Sequence, residues 1–327
     1  MVCIGVAELS GSWLDWGLAA WAGERSVNQR TSNEMSVSNR RAAFRALLAG
    51  ESCAVPGSVF DPISGRIAEE LGYPAGILGG SAASVTVLGA PDLMVLTLSE
   101  LAEQTRRICR ACTLPVLVDG DDGYGTALNV RRTITEIEGA GAAGVTIEDS
   151  ILPEIGMDQQ SAQLLPLAEA LGKINAALDA RSEPDFVIVA RTSARGEGGV
   201  AEAARRSRAF ANAGADAVLV TGIASRRELE AVTSGLGVPV ILGSANADLR
   251  DLAYLAQQGV RLALPGHRPQ REAIFALYQA MMADAPKDAT ATARRDEGAQ
   301  STAALLDRLT RAQAHREWIA RFIPSDR

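Results

Sequence analysis

Three aspartates fall within four positions at the end of an apolar run, in "VLVDGDDGYG" (residues 116–125). Carboxylates packed this closely repel one another unless a cation lies between them. Side chains alternate along a strand, so Asp119 and Asp121 are expected to share a face, with Asp122 turned the other way. By the same alternation Thr146 and Glu148 share a face in "GVTIED". Asp119, Asp121 and Glu148 together make an oxygen-only donor set, which suits Mg²⁺, with Mn²⁺ as the other hard cation, rather than zinc. Zinc is further disfavoured because His267 and His315 are the only histidines. Asp122 and Asp149 are read as residues that serve the backbone of their turns.

Two more polar groups end apolar runs. Arg191 closes "FVIVAR", where a buried guanidinium needs an anion, either a neighbouring carboxylate or the carboxylate of a ligand. His267 follows "ALPG" as a structural group or a ligand contact. Lysine chemistry is set aside: of 32 basic residues only Lys173 and Lys287 are lysines, one within a helical segment and one in the tail. Cys109 and Cys112 form a C-x-x-C at a helix C-terminus, where the dipole does not activate a thiol.

These residues need elements to deliver them. Eight short apolar runs alternate with helix-period segments: residues 54–60, 75–80, 115–121, 144–149, 186–192, 217–222, 238–244 and 261–266. Continuously apolar strands alternating with helices imply a parallel sheet buried on both faces, and eight units imply an α/β (β/α)8 TIM barrel with a C-terminal helical extension. A doubly wound sheet is the alternative, but no G-x-G-x-x-G follows the first strand. In such a barrel chemistry gathers at the C-terminal strand ends. Those ends carry Asp61, Gly80 and Ser81 besides Asp119, Asp121, Glu148, Arg191 and His267.

The chain divides into an atypical N-terminal segment (1–34), the barrel (35–285) and a linker with a helical tail (286–327). Met35 is the expected natural start, because helix-like sequence follows it. A formal charge of −7 without a basic run argues against nucleic acid, and no apolar stretch is long enough for a membrane span. Four scattered cysteines fit a reducing cytoplasm.

Five segments, "SVFDPISGRIAEELGY", "GILGGSAAS", "VDGDDGYG" with "ALNVRRT", "GVTIEDSILP" and "IVARTSA", together resemble the isocitrate lyase and phosphoenolpyruvate mutase superfamily. "LGAPDLMVLTLSE" and "GVRLALPGH" narrow the resemblance to its oxaloacetate decarboxylase branch. The resemblance implies Mg²⁺ and a 2-oxo acid substrate, with oxaloacetate or a close 2-oxo diacid losing CO2 through a metal-stabilised enolate to give pyruvate. It implies Asp119 as the principal metal-side carboxylate, assisted by Asp121 and Glu148. Ser81 and Arg191 would hold the substrate carboxylate, and His267 would bind substrate. Asp61 and Gly80 are further candidate substrate contacts. It also implies a homo-oligomer, a dimer of dimers. Cleavage or hydrolysis of another C–C or C–P bond, and binding of a 2-oxo acid without turnover, are the alternatives. Residues 152–166 lack the Lys-Lys-Cys-Gly-His loop of the lyases that cleave isocitrate. Two further differences are Asp122 where the decarboxylases carry histidine, and Ser244 where they carry tyrosine.

Overall fold

The computed structural model describes residues 36–152, 163–196, 198–243, 246–285 and 301–323. Eight parallel strands follow one another in chain order: β1 (Gly57–Ser58), β2 (Gly76–Leu78), β3 (Val116–Asp119), β4 (Gly144–Glu148), β5 (Val187–Ser193), β6 (Ala217–Thr221), β7 (Val240–Leu242) and β8 (Val260–Ala263). Ala54 closes the ring against β8, donating to Arg261 O at 3.0 Å and accepting from Ala263 N at 2.9 Å. The fold is a (β/α)8 barrel, as the alternation of apolar runs and helical segments implies. β1 is shorter than its apolar run because Pro56 has no N–H to give a ladder.

The strand alternation sorts the core into two parts. Inward-facing Ile77, Leu117, Val187, Val189, Leu219, Ile241 and Leu262 fill the barrel. Phe44 and Leu48 of α1 (Val37–Ala49) join them from below. Outward-facing Val118, Val145, Ile147, Ile188 and Val220 pack instead against Leu101 and Ile108 of α4 (Leu98–Ala111), Ile134 and Ile137 of α5 (Ala127–Gly139), Ile174 of α6 (Leu167–Ala180) and Phe210 of α7 (Gly199–Asn212). α1 also carries two consecutive buried arginines. Arg40 donates to Cys109 O and Cys112 O, and Arg41 to Glu138 O and Ala142 O, so each satisfies carbonyls left over where α4 or α5 ends.

Between β1 and β3 lie α2 (Pro62–Glu70) and α3 (Gly80–Leu88). α8 (Arg226–Thr233), α9 (Leu252–Gln257) and α10 (Arg268–Asp284) complete the ring of helices. The tail forms two helices, α11 (Thr302–Leu309) and α12 (Ala312–Phe322), rather than one, because Arg311 between them adopts a left-handed backbone with φ 55°. The expected N-terminal segment 1–34 and start at Met35 lie outside the described residues, as does the linker up to residue 300. Cys53, Cys109 and Cys112 are buried free thiols, and burial pushes Cys109 up to about 12, which leaves it unreactive. No described helix is long and apolar enough to cross a membrane.

Candidate active site

Strand register brings the charged groups together. Asp119 lies beside Thr146, and two residues further up the barrel Glu148 lies beside Arg191. Arg191 Nη1 donates to both oxygens of Asp119, at 2.9 and 2.7 Å, while the Thr146 hydroxyl donates to Asp119 Oδ1 at 2.7 Å. Arg191 Nε lies 3.2 Å from Glu148 Oε2 without hydrogen-bond geometry, a buried donor with no acceptor among the described residues. The Ser150 hydroxyl donates to Glu148 Oε2 at 3.1 Å. Arg191 and Asp119 keep 24% and 17% of their side-chain surface open, so the cluster faces the barrel mouth.

Asp121 reaches the same place by another route than strand alternation. β3 ends at Asp119, and Asp121 sits in the following turn with φ 48°. Its carbonyl accepts from Glu148 N at 2.8 Å, which ties the turn to β4. The Asp121 carboxylate lies against Gly80, the first residue of α3, where a Cβ would come within 2.6 Å of Oδ1. Gly79 is equally constrained: a Cβ there would come within 2.3 Å of His267 Nε2. The other ring nitrogen of His267, Nδ1, pairs with Ser58 Oγ at 3.0 Å. Ser58, from β1, is a site residue that the strand-end census omitted; its partner is 209 positions away in sequence.

The electrostatics follow from these contacts. Burial alone would raise the Asp119 pKa, but Arg191, the Thr146 hydroxyl and the Gly80 N–H outweigh it and hold the carboxyl below its usual range. Burial, with repulsion from Asp119, Asp92 and Glu148, pushes Asp121 well above its usual range. Burial lifts Glu148 to about 7 despite the attraction of Arg191. Burial lowers the His267 pKa, which favours a neutral ring. Three carboxylates therefore share one guanidinium, leaving a formal surplus of two negative charges when all are ionised. Among the described residues no three acidic, histidine or cysteine side chains form a ready metal cage, since Arg191 occupies both oxygens of Asp119. In atom type and charge the set fits a hard divalent cation.

The remaining candidates are placed as follows. Ser81 is half-buried in the first turn of α3 beside Gly80. Asp61 caps α2, its Oδ1 accepting from Ser64 N at 2.7 Å, and no contact among the described residues joins it to the Asp119 cluster. Asp122 serves its own turn by accepting from Tyr124 N at 2.8 Å, and also pairs with Lys173. Asp149 is buried, bonded through Oδ2 to Thr192 and Arg206. Ser244 and residues 153–162 lie outside the described residues.

Comparison with known proteins places this geometry. Residues 44–286 match the family described as phosphoenolpyruvate phosphomutase. A curated Rhodopseudomonas palustris (strain BisB5) protein named oxaloacetate decarboxylase is 48% identical over 293 residues, covering 88% of this chain and 98% of its own. The crystal structure of phosphoenolpyruvate phosphomutase from Streptomyces platensis subsp. rosaceus superimposes with a TM-score of 0.67 at 28% identity, covering 87% of this chain and 99% of that one. A phosphonopyruvate hydrolase in complex with oxalate and Mg²⁺ does so with a TM-score of 0.64 at 28% identity, with the same coverage of 87% and 99%.

Proposed function

This chain belongs to the phosphoenolpyruvate phosphomutase family, and on that premise we propose that it decarboxylates oxaloacetate, or a close 2-oxo diacid, to pyruvate and CO2. The observation that carries the choice within the family is near-full-length similarity to curated oxaloacetate decarboxylases. The carboxylate cluster around Arg191 at the barrel mouth agrees with it.

Asp119, Asp121 and Glu148 would hold Mg²⁺ or Mn²⁺, because they offer only oxygen and carry the unbalanced negative charge. Such a cation, when bound, stabilises the negative charge that develops on a keto oxygen as CO2 departs. No protein nucleophile is needed. Arg191, whose Nε has no hydrogen-bond acceptor among the described residues though it lies 3.2 Å from Glu148 Oε2, would orient a substrate carboxylate. Ser81 and the N–H groups in the first turn of α3 would add donors to it. Ser58 Oγ pairs with Nδ1 and so fixes the His267 ring with Nε2 against Gly79; in the tautomer where the hydroxyl donates to Nδ1, Nε2 would carry the proton offered to substrate.

The reading extends to a homo-oligomer. α10 and α12 leave Leu277 (60%), Met281 (65%), Trp318 (52%) and Phe322 (65%) exposed, apolar surface that a second copy would cover. A monomer in sedimentation equilibrium would contradict that part.

The test is pyruvate formation from oxaloacetate with Mg²⁺, against a control without protein because the metal alone promotes the reaction. The expected result is a rate well above that background, competitive inhibition by oxalate, and a loss of about a thousandfold in Asp119→Ala. A rate equal to background, or one unchanged in Asp119→Ala, refutes the proposal.

A further inference from the structure

Lys173 takes no part in the chemistry proposed above, yet it is 3% exposed in the middle of α6 and points at the turn that carries Asp121. Lysine is almost never buried without a partner. Here Nζ donates to the main-chain carbonyl of Asp122 at 2.9 Å and to its Oδ2 at 3.2 Å. The shorter contact is to the backbone. A salt bridge serving only to neutralise Asp122 would not need it. The chain has 32 basic residues, only two of them lysines, so a compact ammonium stands here in a protein that otherwise uses arginine almost throughout.

The turn it grips departs from ordinary backbone geometry. Asp121, Gly123, Tyr124 and Gly125 all have positive φ, at 48°, 82°, 64° and 132°. Asp121 and Tyr124 are L residues in a region where Cβ is crowded, so their conformation persists only where the surroundings over-determine it. Among the described residues, Thr133 Oγ1 donates to Gly123 O at 3.0 Å, Gly123 N to Gly120 O at 2.9 Å, Glu148 N to Asp121 O at 2.8 Å, Gly120 N to Thr146 O at 3.0 Å and Tyr124 N to Asp122 Oδ1 at 2.8 Å. Lys173 adds the only charged donor among these contacts, and it does so on the residue adjoining Asp121.

We propose that Lys173 is a positioning residue for the acidic cluster: by clamping the Asp122 carbonyl it holds Asp121 in its left-handed conformation, carboxylate against Gly80, and thereby sets the affinity of the cluster for a divalent cation. The inference rests on the assignment of Asp121 to that cation, and not on the identity of the substrate.

The test is Mn²⁺ binding by electron paramagnetic resonance of the free ion, on metal-stripped full-length protein. Wild type is compared with Lys173→Met, Asp122→Asn and the double variant, each at a temperature where circular dichroism shows it folded. Lys173→Met is expected to weaken Mn²⁺ binding at least about tenfold, as loss of a group that orients a metal ligand does. Asp122→Asn keeps the clamped carbonyl and an acceptor for Tyr124 N, and stays within about threefold of wild type. The double variant leaves no unpaired buried carboxylate, so its melting temperature recovers above that of Lys173→Met while Mn²⁺ binding stays weak. Binding by Lys173→Met within threefold of wild type overturns the proposal. So does a double variant that regains affinity together with its melting temperature, which would make Lys173 a stabilising residue only. A wild-type protein that does not bind Mn²⁺ overturns it as well. One that binds Mn²⁺ but forms no pyruvate refutes the decarboxylase reading and leaves the Lys173 comparison intact.

Discussion

In metal-free protein, Glu148→Gln should increase stability, and increase it more as pH rises. Glu148 is 7% exposed, and burial, opposed by Arg191 and reinforced by Asp119, lifts its carboxyl from 4.5 to about 7. A group whose pKa rises on folding contributes stability that is complete below its unfolded value and is lost as pH climbs through its folded value. The window is therefore about pH 4.5 to 7, and the shift at 1.36 kcal/mol per unit corresponds to about 3 kcal/mol. Glutamine keeps the shape and stays neutral, so the variant escapes the loss. The two proteins should melt close together near pH 4.5. At pH 8 in EDTA the variant should melt on the order of 5 °C higher. Added Mg²⁺ should narrow the gap by stabilising the wild type more. An advantage that fails to grow between pH 5 and 8, or a variant less stable at pH 8, would refute the account of Glu148 as a carboxylate held at electrostatic cost.

Gly79→Ala places a Cβ 2.3 Å from His267 Nε2 and must move the ring; kcat/KM for decarboxylation should fall about a hundredfold with the circular dichroism spectrum unchanged. Gly139→Ala, where a Cβ meets nothing within 4 Å, should be silent in the same assay. Arg41→Met leaves the carbonyls of Glu138 and Ala142 without their donor at the base of the barrel, and should lower unfolding free energy by about 3 kcal/mol in urea titrations while kcat stays within twofold. Oxalate titrated calorimetrically should bind only when Mg²⁺ is present, because without it the anion meets the carboxylate surplus; equal binding in EDTA would count against the charge argument.

The strands were readable because each is a short run of residues buried on both faces and bounded by turns, so composition and punctuation suffice. Glu148 and Arg191 were readable for the converse reason: each breaks an apolar run where water cannot explain it. Asp121 was placed at the cluster by an alternation that stops two residues short of it, and the left-handed turn that delivers it leaves only a trace in the sequence, the glycines at 123 and 125. Asp61 carried a legible signal for capping, since Ser64 stands three residues on. Other contacts had none. Arg40 and Arg41 look like a solvated pair, and only the packing of α1 beneath the barrel turns both inward. The partners of Lys173 and Ser58 lie 51 and 209 positions away, a separation that no local pattern encodes.

The charge balance orders the events that the geometry permits. Arg191 is held by Asp119 through both carboxylate oxygens, and its own pKa is raised by Asp119, Glu148 and Asp121 against the effect of burial, so it is cationic but already engaged. With all three carboxylates ionised, a doubly anionic substrate approaching that arrangement meets more carboxylate than guanidinium. Release of Arg191 from Asp119 requires a replacement counter-charge for Asp119. A cation held by these carboxylates would supply it and would leave the guanidinium available to a substrate carboxylate. On the proposed function, binding of cation and of 2-oxo acid would be coupled through one shared partner, Asp119, which makes that residue, rather than Asp121 or Glu148, the position where substitution should weaken the cation and release anion binding from its dependence on it.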